Sequence, residues 1–294
     1  MTRTGKSPRL SVHAPEPAVE LHPEDAVAAG LRDGELASIE SRWGAAVMRV
    51  RVSPAQRPGE IFAPMHWTAQ FASAGRINAA VNSPVDPVSG QPELKHTPAR
   101  VVPWQARWHG FLLSRRRLGP TTAHWVAAVG EQHWRYELAD STTLDYAVRS
   151  LGALVEDGLP EGAELLQMAD RAAGTFRAAW IAGDRLAACL FLGATPSLPA
   201  RAWLASLFAQ DVTAEDRMAL LAGRAADAPL DASPIVCACF NVSQARIARA
   251  IADGACSTRE IGAALQAGTN CGSCLPELRK LIAAQAPAPQ KELA

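Results

Sequence analysis

The sequence predicts a multidomain protein in which a hairpin-rich region and a mixed α+β module precede a small helical unit. Hairpin turns between alternating apolar residues dominate the first third of the chain, and the middle mixes strand patterns with short helix patterns. The C-terminal part contains helix caps and four of the six cysteines. The length of 294 residues allows about two domains of common size, or three small ones.

Changes in composition set the expected domain limits. We expect an N-terminal domain over residues 1–103, a small α+β middle module with its linker over 104–232, and a small all-α helical domain over 233–284. The stretch "ADAPLDASP" before the helical domain is typical of a linker. The tail over 285–294 is predicted to be frayed.

Turn residues place a hairpin in the N-terminal domain. The dipeptides "DG" and "WG" supply turns, and Met48, Val50 and Val52 alternate on one face of the second strand. His22 in "LHPEDA" is expected to help open a short helix. A further strand is predicted for "RPGEIFAPMHW", whereas "VNSPVDPVSGQPELK" is too rich in Pro, Gly and Asp to be regular and predicts a long surface loop.

Strand patterns precede helix patterns in the middle module. Strands are predicted for "TTAHWVAAVG" and "HWRYELA", and a hairpin turning at Gly183-Asp184 is predicted for "TFRAAWIAGDRLAACLFLG". Helices are expected in "LPARAWLASLFAQ" and in "TAEDRMALLAGRA", the second capped by Thr213. The tryptophans of this module are expected in the core or at an interface.

Three helices are predicted for the C-terminal domain. Ser243 is a candidate cap for the first helix, and Ser257-x-x-Glu260 is a capping-box pattern before the second. Gly268 is expected to stop the second helix, and Pro276 to open the third.

Charge and hydropathy argue against several classes of partner. The formal net charge is +0, with 29 basic and 29 acidic residues, so nothing favours a nucleic-acid partner. The N-terminus "MTRTGKSPRL" has no apolar core of a secretory signal, and the most apolar run, "LAACLFLGA", is too short to span a membrane. We therefore expect a cytoplasmic protein, in which clustered cysteines are more often metal ligands than disulfides.

Two close thiol pairs predict a metal site. Cys237-x-Cys239 and Cys271-x-x-Cys274 are expected in turns, joined by a helical hairpin that returns the chain to its starting point. Four converging thiolates suit either zinc or an iron–sulfur cluster, and the C-x-C spacing is unusual for a zinc ribbon, which favours iron and sulfur. The other two cysteines, Cys189 and Cys256, are expected to be small buried apolar residues.

The cysteine-rich stretch resembles a known family. "VCACFNVSQARIARAI" followed by "GTNCGSCLPELRKLI" is similar to the bacterioferritin-associated-ferredoxin-like 2Fe–2S module, which has C-x-C, a helical hairpin, and C-x-x-C in a "GTGCGSC" setting. The resemblance implies a 2Fe–2S cluster on the four cysteines. Asn270 stands where that pattern has Gly, and we expect little effect, because Asn tolerates the left-handed backbone that Gly would take.

The N-terminal domain resembles a second family. "MTRTGK", "HPEDA" and "DPVSGQPELK" are similar to the C-terminal molybdopterin-dinucleotide-binding domain of the dimethyl-sulfoxide-reductase family, especially in assimilatory nitrate reductases. The resemblance implies a double-psi β-barrel and a partial site for molybdopterin guanine dinucleotide. The residues that match cofactor-contact positions of the family are Thr2, Arg3, Met65, His66, Asn78 and Lys95.

Together these resemblances imply the C-terminal, electron-transfer portion of an assimilatory nitrate reductase. Electrons would pass from a ferredoxin, a flavodoxin or an NADH-linked reductase to the 2Fe–2S cluster, and onward to molybdenum on a separate N-terminal catalytic portion or subunit. No motif for a 4Fe–4S cluster or a molybdenum ligand occurs, so we expect this chain alone not to reduce nitrate. The alternative is a non-catalytic adaptor that binds zinc or an iron–sulfur cluster and docks on a partner protein.

Overall fold

The computed structural model divides the chain into two compact units, Met1–Ala226 (unit 1) and Asp227–Ala294 (unit 2). Unit 1 is rich in sheet and unit 2 is helical, which confirms the predicted multidomain class. None of the helices described is long and apolar enough to cross a membrane. The structure describes residues 14–93, 96–224, 233–237, 239–240 and 242–285.

The first sheet of unit 1 has five strands in the order β4-β1-β3-β2-β5. β1 and β3 are parallel, and the other neighbouring strands are antiparallel. The predicted hairpin is confirmed, since β2 pairs with β3 from Leu36 opposite Arg49 to Glu40 opposite Ala45. The five strands are β1 Ala18–Leu21, β2 Leu36–Glu40, β3 Ala45–Val52, β4 Ile61–Phe62 and β5 Arg100–Pro103.

A short helix, α1 (Pro23–Ala28), packs Ala26 against this sheet. Its cap is His22, whose Nδ1 accepts a hydrogen bond from the backbone N–H of Glu24 at 3.3 Å, as expected. The strand predicted for "RPGEIFAPMHW" is mostly wrong, because regular pairing covers only β4. Pro64 follows it and has no N–H to donate to a ladder, which is consistent with the early end of the strand.

The second sheet of unit 1 is antiparallel, with six strands in the order β7-β8-β6-β11-β10-β9. The hairpin predicted to turn at Gly183-Asp184 is confirmed as β10 and β11. The strands predicted around "HWVAAV" and "WRYELAD" are confirmed as β7 and β8. The six strands are β6 Trp108–Ser114, β7 His124–Val129, β8 Trp134–Asp140, β9 Glu164–Asp170, β10 Thr175–Ala182 and β11 Arg185–Gly193.

Both faces of this sheet are covered, which explains why β6, at its centre, is buried at every position. On one face, α2 (Leu144–Glu156) packs Leu151 and Val155 against Trp108, Leu112 and their neighbours. α2 was not predicted from the sequence. On the other face, the two predicted helices are confirmed as α3 (Arg201–Ser206), which continues into a 3-10 turn (Leu207–Ala209), and α4 (Ala214–Leu220), capped by Thr213.

The two edges of the six-stranded sheet differ. β7 is covered by the segment of the N-terminal region that contains Phe71 and Ser73. The N–H of Ala127 in β7 donates to the Phe71 carbonyl, and the N–H of Ser73 donates to the Trp125 carbonyl of β7. β9 is the opposite edge, and six of its seven residues are exposed, Leu165 and Met168 among them. One edge is therefore closed by the chain itself, whereas β9 borders solvent.

Buried polar groups lie where the two sheets of unit 1 approach each other. His109 of β6 and His124 of β7 flank Ala139 of β8 in the ladder, and Arg49 of β3 lies near both rings. Burial, reinforced by the positive charge of Arg49, lowers the pKa of His109 to about 4 and that of His124 to about 3. Neither ring nitrogen of His124 has a hydrogen-bond partner among the described residues.

Unit 2 contains a two-stranded ribbon and three helices. Ser243 caps the first helix, and Ser257 and Glu260 form a capping box on the second, both as predicted. Ile247, Ile261 and Leu278, one from each helix, are fully buried together. The elements are β12 Ile235–Cys237, β13 Val242–Ser243, α5 Gln244–Ala252, α6 Thr258–Leu265 and α7 Leu275–Gln285.

Candidate functional site

The four predicted metal ligands come together in unit 2 as two pairs. The Sγ atoms of Cys239 and Cys271 are 3.3 Å apart, and these residues form what we call the outer pair. The thiol of Cys274 neighbours that of Cys237, and these residues form the inner pair. Each pair therefore joins one cysteine of the C-x-C motif to one of the C-x-x-C motif.

The helical hairpin between the motifs brings the pairs together. The chain leaves Cys239, passes through α5 and α6, and returns to Cys271 in the bend before α7. Gly268 is needed on the return path, since its φ is +84° and a side-chain carbon there would lie 2.7 Å from Leu275 Cδ2. Cys237 was expected in a turn, but it ends β12 and is paired with Val242.

The two pairs differ in exposure. Cys237 and Cys274 are buried, whereas Cys239 is half-buried and Cys271 is exposed. Burial, followed by the neighbouring Cys237 thiol, raises the pKa of Cys274 to about 11. A metal that binds here displaces these protons, because the ligand form of cysteine is the thiolate.

The outer pair is surrounded by hydrogen-bond donors. Ser273 lies with its Oγ 2.6 Å from Cys271 Sγ, and its backbone N–H donates to the same sulfur at 3.4 Å. The side-chain amide of Asn270 and the backbone N–H of Cys271 hydrogen-bond to Cys239 Sγ. Gly272, with φ of +74°, makes the tight turn between the two ligands of the C-x-x-C motif.

The position of Asn270 does not use the left-handed backbone that Gly would allow, since the non-glycine residues with positive φ in the described chain are His96 and Gln266. A further expectation about this unit is wrong. Cys256 is exposed rather than buried, because it precedes the cap of α6 and its Sγ–H donates to Glu260 at 3.2 Å. The prediction that Cys189 is buried is confirmed.

The arrangement fits a two-iron cluster. Tetrahedral zinc needs four ligands around one ion, whereas each iron of a 2Fe–2S cluster takes two protein thiolates. Two thiol pairs with N–H and O–H donors directed at the sulfurs are suited to the second case.

Three of the predicted dinucleotide contacts lie in the described part of unit 1. Met65 and His66 occupy a turn after β4, where Met65 is half-buried and His66 is exposed. Asn78 is exposed on a 3-10 turn (Ile77–Ala79), which lies against the β2–β3 hairpin at Gly44. The other predicted contacts, Thr2, Arg3 and Lys95, lie outside the described residues.

The middle module holds the Met65–His66 turn in place. Trp67 and Phe71 follow this turn and are buried against Val126 of β7. The adjacent backbone pairs with the same strand, as Ala72 is bridged to Val126. Sequence reasoning missed this contact because no local pattern reveals pairing between residues so far apart in the chain.

Comparison with known families agrees with this geometry. The family model described as "Molydopterin dinucleotide binding domain" matches residues 1–98, and that described as "BFD-like 2Fe-2S binding domain" matches residues 235–284. The chain carries one domain of each family. The second match starts at β12 and includes all four cysteines, Cys237, Cys239, Cys271 and Cys274. Both cofactors predicted from the sequence are thereby confirmed as those of the two domain families.

Relatives extend the match beyond these two domains. A nitrate reductase of Klebsiella oxytoca is 38% identical over 287 residues, which is 97% of this chain and 32% of the relative. An assimilatory nitrate reductase catalytic subunit of Bacillus subtilis is 31% identical over 34% of this chain and 14% of the relative. An F420-dependent formate dehydrogenase 1 subunit alpha of Methanococcus maripaludis is 30% identical over the same shares. The chain thus spans about a third or less of these relatives.

Proposed function

We propose that this chain is the cofactor-binding and electron-transfer portion of a molybdenum-dependent nitrate reductase. One observation carries the proposal: a nitrate reductase matches 97% of the chain, across the dinucleotide domain, the middle module and the 2Fe–2S domain together. Since the chain spans 32% of that relative, the whole enzyme includes sequence beyond what this chain supplies.

The substrate proposal depends on the length of this match. The dinucleotide domain alone does not select nitrate, because a formate dehydrogenase matches the chain over a similar share as an assimilatory nitrate reductase does. The Klebsiella oxytoca relative matches this chain across the dinucleotide domain, the middle module and the cysteine-containing unit together. We propose nitrate on that ground.

Unit 2 supplies the electron-transfer site. A 2Fe–2S cluster accepts and releases one electron at a time. Cys237, Cys239, Cys271 and Cys274 are the proposed ligands, and burial of the inner pair excludes water from one side. The exposed Cys271 leaves the other side open to a donor protein.

Unit 1 supplies part of the dinucleotide site. Met65, His66 and Asn78 are proposed to contact the molybdopterin guanine dinucleotide, together with Thr2, Arg3 and Lys95 in the segments outside the described residues. The side-chain amide of Asn78 is free to face a ligand, because the side chain is exposed. The parallel pairing of β1 with β3 in a mixed sheet supports the further proposal that this domain has the double-psi β-barrel fold.

We also propose that the enzyme is assimilatory and cytoplasmic, with a ferredoxin, a flavodoxin or an NADH-linked reductase as its donor. The assimilatory nitrate reductase of Bacillus subtilis among the relatives supports the first part. Reduced thiols persist in the cytoplasm, which suits a unit that needs four thiolates for its metal.

Metal analysis of the full chain tests the proposal. Purified without oxygen, the protein is expected to be reddish-brown, to contain two iron and two sulfide per chain, and to give a paramagnetic signal after reduction with dithionite. The variant Cys237→Ser should lose the iron, and Cys256→Ser should keep it. Colourless protein with stoichiometric zinc and no sulfide would instead identify the adaptor.

Activity of the isolated chain is a second test. We expect no nitrate reduction with reduced methyl viologen, since the family match covers a dinucleotide domain and an electron-transfer domain only. Nitrate turnover that stays with this chain through purification and is lost in Asn78→Ala would show that the chain itself contains the catalytic site.

A further inference from the structure

The two cysteine pairs of unit 2 receive different hydrogen bonds. The inner sulfur of Cys274 accepts from a backbone group, the N–H of Gly268. The outer sulfurs accept from backbone groups and also from two side chains, the amide of Asn270 on Cys239 and the hydroxyl of Ser273 beside Cys271. Both of these side chains belong to exposed residues that are not ligands themselves.

The direction of these hydrogen bonds is fixed once the cysteines bind metal. Between a free thiol and a hydroxyl 2.6 Å apart, either atom is able to donate. A ligand thiolate has no proton, so Ser273 must donate its O–H and Asn270 its N–H. Two polar hydrogens are then directed at the sulfurs of the outer pair.

Such hydrogen bonds act more strongly on the reduced state. Reduction adds one electron to the cluster, so the ligand sulfurs carry more negative charge. A donor to a charged acceptor contributes more than a donor to a weakly charged one. Removal of the donor therefore destabilises the reduced form more than the oxidised form, and hydrogen bonds to the sulfurs are one of the protein's means of setting the potential.

We propose that Asn270 and Ser273 are potential-setting residues, whose side-chain hydrogen bonds to the outer pair raise the reduction potential of the 2Fe–2S site. The inference rests on the proposed ligation by the four cysteines. The step is the transfer of one electron from a one-electron donor protein, for which dithionite substitutes in the test. No bond is formed or broken, and no proton is transferred.

The test is a redox titration of the full chain followed by the signal of the reduced cluster. Ser273→Ala and Asn270→Ala should each lower the reduced-to-oxidised ratio at a fixed potential about threefold to tenfold. For a one-electron couple, this change is about 30 to 60 mV in the negative direction. Loss of both side chains should give a larger negative shift than either variant alone.

Two control variants separate hydrogen bonding from packing. Ser273→Thr keeps the hydroxyl and should retain the potential of the unchanged protein. Thr269→Val removes a neighbouring hydroxyl that donates to the Gln266 carbonyl at 2.7 Å rather than to sulfur, and should leave the potential unchanged. The frequencies of the Fe–S(Cys) stretches, measured by resonance Raman spectroscopy, should change in Ser273→Ala but not in Thr269→Val.

The possible outcomes distinguish this inference from the proposed function. Protein that assembles no iron–sulfur cluster would overturn the ligation itself. Variants that hold full iron and sulfide but titrate at the potential of the unchanged protein would overturn the inference and leave the ligation intact. Asn270→Ala alters an exposed residue that is not a ligand. Its reduction potential therefore tests the inference even where Ser273→Ala holds less iron.

Discussion

Glu137 is a fully buried carboxylate on β8, held by two arginines of unit 1. Its Oε2 accepts from Arg201 at 2.6 Å, and its Oε1 accepts from Arg135 at 2.7 Å. Burial alone would raise the pKa of Glu137, but Arg201 and Arg135 outweigh it and lower the pKa to about 2. The charged form is therefore the one that the folded state needs.

Replacement of Glu137 should be strongly destabilising. Glu137→Gln leaves Arg201 and Arg135 without a negative partner, and loss of one member of a buried pair costs about 3–5 kcal/mol. Urea unfolding of the full chain at pH 7, followed by far-ultraviolet circular dichroism, measures this loss. The exposed pair of Glu40 and Arg100 is the matched control, and Glu40→Gln should cause little change. Equal stability of the two variants would contradict the role of Glu137.

His124 contributes to the response of unit 1 to acid, together with His109 and His133, whose pKa values burial lowers to about 4. Its folded pKa of about 3 lies below the ordinary value of 6.5, so between these pH values the unfolded chain binds a proton that the folded chain does not. Stability is therefore lost as the pH falls from 6.5 toward 3. Glu137 adds to this loss at lower pH, between its ordinary pKa of 4.5 and its folded pKa of about 2.

The variant His124→Leu should resist this loss. Leu removes two ring nitrogens that have no hydrogen-bond partner among the described residues, and it also removes the proton site. When the pH is lowered from 7 to 5, the free energy of unfolding of the variant should therefore rise by about 2 kcal/mol relative to that of the unchanged protein. Urea unfolding at the two pH values measures the gain. His66→Leu, at an exposed position, is the control and should show no comparable gain. A gain that is the same at both pH values would show that the titration of His124 is not the cause.

Two glycines in different elements should respond to alanine with opposite signs. A side-chain carbon at Gly110, in the central strand β6, would lie 2.9 Å from the Phe191 carbonyl oxygen and would also collide with Leu192. Gly110→Ala should therefore destabilise unit 1 by about 1–3 kcal/mol. A carbon at Gly152, in α2, meets nothing within 4 Å, and Gly152→Ala should stabilise by about 0.5–1 kcal/mol.

The midpoints of thermal unfolding of these two variants provide the check. A fall for Gly110→Ala together with a rise for Gly152→Ala is expected. A change of the same sign in both would mean that close packing around β6 does not decide the outcome.

Elements with a local sequence signature were predictable. Thr213, Ser243 and Ser257 mark helix starts, because their side chains accept hydrogen bonds from the first turn, and Gly183 allows the tight turn of the β10–β11 hairpin. β9 was missed, since an edge strand exposed on both faces has no apolar alternation. Long-range pairing, such as that of Ala72 with Val126, leaves no local pattern either.

The candidate site was predictable in its ligands more than in its surroundings. The spacing of Cys237, Cys239, Cys271 and Cys274 was sufficient for the metal prediction, because four thiols in two short motifs have few other uses. The hydrogen bond from Asn270 to Cys239 was not predictable, because it joins side chains of two motifs that lie far apart in the chain and leaves no local pattern.

At the scale of the whole molecule, the two units should depend on metal to different extents. Unit 2 has a small core, of which Cys237 and Cys274 are buried members. Units with so little buried surface need further stabilisation, and cluster binding supplies it. Unit 1 has two large sheets with cores of their own.

Cys237→Ser should therefore remove the cluster and unfold unit 2 while unit 1 stays folded. Hydrogen exchange with mass spectrometry should show rapid exchange in α5, α6 and α7, and unchanged protection in β6 and β11. Cys256→Ser, at an exposed cysteine, should change neither the iron content nor the exchange pattern. Loss of iron from Cys256→Ser with retention in Cys237→Ser would reverse the ligand assignment.

The open edge of the six-stranded sheet has a consequence for the protein in concentrated solution. A second copy of β9, paired antiparallel about Gln167, would place Glu164 of one molecule opposite Asp170 of the other at both ends of the ladder. Like charges directly opposite each other destabilise such a ladder, so the strand resists pairing with a second copy through its own edge. We therefore expect no concentration-dependent dimer at neutral pH.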